Sequence, residues 1–264
     1  MVLGIALTLP FVQTKIARYF VESINKDFGI NIAIEEAAVS VFGGVKLKNV
    51  LILDHHKDTL VYANRIKTNV LDSSKLLDGD LIFGDITLDG MYFNMKTYKN
   101  EKYSNLDKFV AAFENDNPPS EGHFLLTATN AKITNGHYTL IDLNRVGSKD
   151  VDFTKLNATI NDLKVYGPEV STKIYKMSFQ DHRGIFVENL SGKFSYTKKH
   201  IKLENLDLIT KESNLKGGIV LNYDIDKGDF SHFVDKVEFD IKLEKASLAS
   251  NDTRCFYDEL GKNL

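Results

Sequence analysis

The sequence predicts a mainly β protein with antiparallel strands, in which only one face of the sheet is shielded from water. The clearest evidence is the segment 236–244 (KVEFDIKLE), in which apolar and charged residues alternate with a period of two. Similar alternation recurs over 175–179, 193–197 and 219–225. A strand with one apolar and one charged face is typical of an antiparallel sheet that keeps water from a single face.

A recurrent four-residue unit, in which Asn or Asp precedes Val, Leu or Gly, predicts bends inside these strands. In the first copy, Val45 and Leu47 are in phase before Asn49, and Val50 and Ile52 are in phase after it. Such a change of phase is typical of a β-bulge or a tight arch, and Asn, Asp and Gly tolerate the backbone angles needed. The copies lie at 47–50, 87–90, 133–136, 160–163, 187–190 and 203–206. Their irregular spacing argues against a solenoid of fixed period.

Length and composition bound the class of protein without indicating a function. The chain has 264 residues, enough for one or two domains, with 43% hydrophobic and 26% charged residues, as in ordinary folded proteins. Its net charge of -3 does not indicate the basic surface that nucleic-acid binding requires. The single cysteine, Cys255, excludes an internal disulfide and a cysteine metal cluster.

The amino terminus resembles the end of a membrane segment. Residues 1–12 (MVLGIALTLPFV) are almost all apolar, but crossing a bilayer takes about 20 such residues. We interpret them as the last part of a transmembrane helix, with an atypical signal or anchor and a buried helix start as alternatives. Apolar residues then recur at every fourth position, which predicts an amphipathic helix over 9–28 with Gly29 as its C-cap.

Little else is predicted to be helical. Residues 104–113 resemble a short helix with Ser104 as its N-cap, and 73–77 resemble a single turn. The predicted organisation is listed in chain order: membrane-anchor remnant and helix 1–28, first β region 29–113, linker 114–122, second β region 123–264.

Residues that carry chemistry are present, but they do not form a recognised catalytic pattern. None of the seven histidines forms an H-E-x-x-H or H-x-x-x-H pair, and there is no G-x-S-x-G elbow or phosphate-binding glycine loop. His55 and His56 fall in an expected hairpin turn, where a solvated role is favoured over a metal site. Asp181–Gly184 is expected to be a hairpin tip. We therefore expect no enzyme, no cofactor and no metal, with a carbohydrate-binding or carbohydrate-active β protein as the weaker alternative.

The order of the parts resembles the amino-terminal region of AsmA-like and TamB-type proteins. The resemblance rests on a helix followed by amide-rich strands, a strand of the LDG type, a short helix beginning with NL, and further strand repeats. The matching segments are 9–29, 30–54, 58–66, 84–98 and 105–114, with KITNGHYTLID and DHRGIFVENLSGKFSY beyond the linker. The likeness is strongest over 1–145, and the family's long carboxy-terminal part is absent, so we expect the chain to be a piece of something longer.

The resemblance implies a fold, a location and a function. Such proteins are anchored in the inner membrane of diderm bacteria, hang in the periplasm, and form open, U-shaped β-grooves related to those of the chorein-type bridge proteins. The groove is thought to carry phospholipid acyl chains toward the outer membrane. An alternative role is as a scaffold for translocation and assembly that works with an outer-membrane barrel protein.

A groove is one of two arrangements compatible with the pattern. From residue 124 onward no predicted amphipathic helix covers the apolar side, which leaves either a closed sandwich or barrel or an open groove; the resemblance favours the groove. The residues predicted from alternation to line it are Val50, Ile52, Tyr92, Tyr138, Leu140, Val165 and Leu208.

Overall fold

A computed structural model of the chain shows one open, curved sheet of eleven strands in strict sequence order. The structure describes residues 10–40, 44–71, 75, 80–113, 125–144, 151–229, 233–249 and 252. The prediction of a mainly β fold is therefore confirmed. Residues 1–9, on which the predicted anchor depends, and the linker 114–122 lie outside the described residues.

The strands are β1 (Asn31–Val39), β2 (Gly44–Leu53), β3 (Thr59–Val70), β4 (Leu81–Thr97), β5 (Leu125–Asp142), β6 (Val151–Tyr166), β7 (Glu169–Asp181), β8 (Phe186–Tyr196), β9 (His200–Thr210), β10 (Asn214–Asn222) and β11 (Glu238–Ser247). The described helices are α1 (Pro10–Phe28), α2 (Asn105–Ala111) and the single turn α3 (Phe233–Lys236). The strand predicted over 236–244 therefore starts two residues too early. The observed strand β11 starts at Glu238, and Lys236 belongs to α3.

The predicted antiparallel sheet needs one correction. All neighbouring strands are antiparallel except β4 and β5, which are parallel from Leu81↔Leu126 to Thr97↔Asp142. Parallel neighbours need a connection that carries the chain back along the sheet. In the chain order, α2 lies between these two strands.

Helix α1 covers the free edge of β1. The Asn25 side-chain amide both donates to the Ile32 carbonyl and accepts from the Ile32 N–H, each at 2.8 Å. The Thr14 hydroxyl likewise donates to the Ala37 carbonyl and accepts from the Ala37 N–H, each at 3.1 Å. An uncovered edge presents unpaired backbone groups that can recruit another chain, so α1 blocks sheet extension on this side. No helix among the described residues is long and apolar enough to span a membrane.

The opposite edge, β11, is uncovered in the described part of the chain. All ten of its residues are solvent-exposed. Within the described ranges, the sheet therefore has one covered edge and one uncovered edge.

The backbone confirms the predicted bends in five of the six copies, four through Asn or Asp and the copy 87–90 through Gly90, which has φ 62°. Asn49, Asn135, Asp162 and Asn205 all have a positive φ between 48° and 53°. These angles belong to the left-handed region, which Asn and Asp occupy more readily than most residues. Residues three apart, such as Leu47 and Val50, consequently lie on one face, and their partners in β3, Ile66 and Ala63, are spaced in the same way.

Both sequence-predicted caps are confirmed. Gly29 ends α1 with φ 65°. Ser104 caps α2 by accepting from the Asp107 N–H, while the Asp107 carboxylate accepts from the Ser104 N–H at 2.9 Å. Asn105, which is fully buried, donates to the Asn94 carbonyl and accepts from the Lys96 N–H. β4 extends beyond β3 here, and these bonds satisfy its backbone N–H and carbonyl groups. They also fix α2 to the sheet.

Candidate functional site

One face of the sheet is apolar across all eleven strands, and we call it the apolar face. Cross-strand partners share a face, so the registers define its rows. One row runs through β2 to β6 and contains Ile52, Val61, Phe93, Tyr138 and Phe153. Another runs through β8 to β11 and contains Leu190, Leu208, Leu215 and Ala246. The change of phase at each bulge keeps these side chains on one side along the whole length of the strands.

The apolar face is packed in its middle and exposed at β11. Ile86, Ile160 and Ile174 are at most 9% exposed within a cluster that spans β4 to β7. On β11, Phe239, Ile241 and Leu243 lie in the same rows as Leu221, Ile219 and Gly217. They are 55%, 51% and 46% exposed, respectively. Apolar surface is therefore continuous from a buried centre to an open edge.

The sheet is strongly curved. Lys102, which lies just before α2, donates to the Asp226 carbonyl in the loop after β10 at 2.6 Å. In a flat sheet β4 and β10 would lie about 29 Å apart, at six spacings of about 4.8 Å. Burial raises the pKa of Tyr196, and the nearby Asp107 carboxylate raises it further. Tyr196 pairs with Val170 and Ile201 on the apolar face.

Aromatic side chains form a ridge at one end of the apolar face. The ring centroids of Phe93 and Tyr138 are 5.5 Å apart, those of Tyr138 and Phe153 are 6.1 Å apart, and Phe153 stacks on Phe179 at 4.0 Å. Burial raises the pKa of Tyr138 to about 12. Its phenol therefore stays neutral at physiological pH, and the ridge carries no charge.

The opposite face is polar and charged. Arg65 donates to the Asp89 carboxylate at 2.6 Å, and Lys48 pairs with Glu36 at 2.6 Å. Asn130 donates to Asp85 at 2.7 Å across the parallel strand pair. Exposed ion pairs of this kind contribute little stability, but they distinguish a solvated outer face from the apolar one.

The structure brings together six of the seven residues predicted to line a groove. Val50, Ile52, Tyr138, Leu140, Val165 and Leu208 share the apolar face, as their cross-strand partners show. Tyr92 lies on the opposite face, where it pairs with Tyr62 and packs against His137 at 4.9 Å between ring centroids. Its neighbour Phe93 takes the inner position. The change of phase at Gly90, which has φ 62°, decides which of the two points inward.

No protein-family model matches the chain, and no curated protein shows significant sequence similarity to it.

Proposed function

We propose that the apolar face binds the acyl chains of phospholipids. The observation that carries the proposal is a curved, open sheet with one apolar face that stays exposed at β11. Large exposed apolar patches mark surfaces that meet a partner or a lipid. In the part of the chain that the structure describes, α1 covers the β1 edge and no element covers β11, so acyl chains can enter along β11.

The dimensions of the apolar face suit an acyl chain. Ten spacings of about 4.8 Å give an arc of about 48 Å along the eleven strands, while one leaflet of a bilayer is about 15 Å thick in its apolar part. Each buried methylene contributes about 0.8 kcal/mol. The neutral aromatic ridge and the aliphatic rows contact such chains without the cost of burying a charge.

In this proposal the chain is a non-enzymatic periplasmic protein of a diderm bacterium, held at the inner membrane by its amino terminus. It shields phospholipid chains from water between the inner and outer membranes and so serves outer-membrane biogenesis. The open β11 edge supports continuation of the same surface by a further strand. The resemblance to AsmA-like and TamB-type proteins is consistent with this role.

A charge on the exposed part of the apolar face is expected to weaken lipid binding. Ile241→Glu places a carboxylate where the side chain is 51% exposed, so the fold tolerates it. Desolvating that carboxylate against an acyl chain costs enough to lower affinity about tenfold. The measurement is binding of a phospholipid with a fluorescent acyl chain, supplied in phosphatidylethanolamine vesicles. Lys242→Glu, one residue away on the other face, is the matched control. Absence of binding by the unmodified chain, or equal losses in both variants, contradicts the proposal.

The edge of β11, which no described element covers, favours a second candidate, a scaffold that assists outer-membrane protein assembly. An exposed edge strand can accept a strand from another protein through backbone hydrogen bonds. Strand addition would slow hydrogen exchange of the outward-facing amides over 238–247 when a detergent-solubilised outer-membrane barrel protein is added. Unchanged exchange there counts against this candidate and leaves lipid binding unaffected.

A further inference from the structure

Three metal-binding side chains converge at the end of the sheet near the β2–β3 turn. His55 and His56 are consecutive in that turn, and Glu101 lies in the loop between β4 and α2. His55 Nε2 lies 2.8 Å from Glu101 Oε2, and His56 Nε2 lies 2.6 Å from Glu101 Oε1. All three donor atoms fall within 4.8 Å of one another. Two imidazoles and one carboxylate thus point at one small volume.

A buried carboxylate positions the two histidines. Asp54 is only 3% exposed, and its Oδ1 accepts from the backbone N–H groups of His56 and Asp58, both at 2.9 Å. Its Oδ2 accepts from the Tyr98 hydroxyl at 2.7 Å. The buried Asp54 carboxylate therefore fixes the turn, and both imidazole rings lie beside the Tyr98 ring.

Aromatic contacts and a side-chain brace restrict the three donors further. The Tyr98 ring lies 3.9 Å from the His56 ring and 5.5 Å from the His55 ring, measured between centroids. Asn144 donates to the Glu101 carbonyl at 2.9 Å. Since these contacts do not use the donor atoms, they order the side chains without occupying the positions that a cation needs.

The local charge favours a cation. Glu101 supplies a carboxylate, a group that is ordinarily ionised at neutral pH. The neighbouring Lys96 pairs with the Asp58 carboxylate, which offsets its charge. Asp54 adds a second negative charge behind the turn.

We propose that His55, His56 and Glu101 form a binding site for a divalent transition-metal ion of the Zn²⁺ type. Imidazole nitrogen with carboxylate oxygen is a donor set that Zn²⁺ accepts at about 2.0–2.2 Å in tetrahedral geometry. Such geometry needs donor separations of about 3.3 Å, so each Nε2 moves away from its Glu101 oxygen by less than about 1 Å. To bind the metal through Nε2, each imidazole is neutral and carries its single proton on Nδ1, and water completes the coordination.

The site would tie two separate parts of the chain together. Its histidines belong to the β2–β3 turn, and its carboxylate belongs to the loop between β4 and α2. Bound metal is thus expected to stabilise the connection of α2 to the sheet. This inference does not depend on lipid binding.

Zn²⁺ titration of the full chain, with any purification tag removed, tests the site. We expect one Zn²⁺ per chain by isothermal titration calorimetry, with a dissociation constant below about 10 µM, and a higher melting temperature in Zn²⁺ because the ion binds only the folded state. His55→Gln, His56→Gln and Glu101→Gln should each weaken binding at least about tenfold. Their circular dichroism spectra should match that of the unmodified chain.

His137→Gln is the matched control. His137 also pairs with a carboxylate, that of Asp152 at 2.7 Å, but no second histidine joins this pair among the described residues. Zn²⁺ affinity should be unchanged in this variant. The proposal is overturned if the chain binds no Zn²⁺ below about 10 µM, or if the three ligand variants bind it as tightly as the unmodified chain.

Discussion

Gly217→Ala is expected to detach β11 from the sheet. Gly217 has φ 152°, which L-residues rarely adopt, and an added Cβ would lie 2.0 Å from the Lys242 carbonyl oxygen. Neither the angle nor the contact can be relieved without moving β11, because the obstructing atom is backbone. We expect a loss of about 3 kcal/mol in unfolding free energy, or local release of the strand where that costs less. Hydrogen exchange over 238–247 measures the outcome and should accelerate strongly.

Gly218→Ala is the matched control for that effect. Its added Cβ would have the Leu203 carbonyl oxygen as its nearest neighbour at 3.6 Å, an ordinary contact, and its φ lies outside the left-handed region. Exchange in β11 should then stay as in the unmodified chain. Equal protection of β11 in both variants would show that the close approach at Gly217 does not govern the pairing.

Asp54→Ala is expected to destabilise the end of the sheet by about 3 to 5 kcal/mol. The change removes the acceptor for the Tyr98 hydroxyl and for two backbone N–H groups, and also one acceptor of the buried Asn105 amide. Asp58→Ala is the control, since that carboxylate is 47% exposed and its pair with Lys96 contributes less than about 1 kcal/mol. Urea unfolding of both variants measures the difference. Similar losses would mean that burial of Asp54 does not matter.

The contribution of Asp54 should also depend on pH. Burial acts to raise the pKa of Asp54, but hydrogen bonds from Tyr98, Asn105 and the Asp58 and His56 N–H groups outweigh it, and the net pKa is lowered. A lowered pKa in the folded state gives stability that is present above the unfolded pKa of about 3.9 and is lost as pH falls through the folded pKa. The stability difference between the unmodified chain and Asp54→Asn should therefore be constant near neutral pH and shrink below about pH 4. A difference that grows on acidification would contradict this assignment.

Local features of the fold could be predicted because their causes are local. Gly29 and Ser104 end and begin helices through their own backbone freedom and side-chain oxygen. Asn49 and Asn205 mark bulges because their side chains tolerate a positive φ. In each case one short segment contains both the residue and the reason for its conformation.

Features that depend on partners distant in the chain could not be predicted in this way. The parallel pairing of β4 and β5 is a feature that alternation does not encode. Tyr92 and Phe93 are both aromatic, and only the register with β3 and β5 shows that Phe93 faces inward. Glu101 is 46 residues from His55 and 45 from His56, so the sequence showed the two histidines but not the carboxylate that lies beside them.

The most direct test of the account compares the two faces of the sheet by photo-crosslinking in cells. A photoreactive amino acid would replace Tyr138 or Leu208, which lie on the apolar face, or Tyr92, which lies on the opposite one. If the apolar face binds acyl chains, phospholipid adducts form at Tyr138 and Leu208 and are absent at Tyr92. No adduct at either inner position, or equal adducts at Tyr92, would contradict lipid binding by this face.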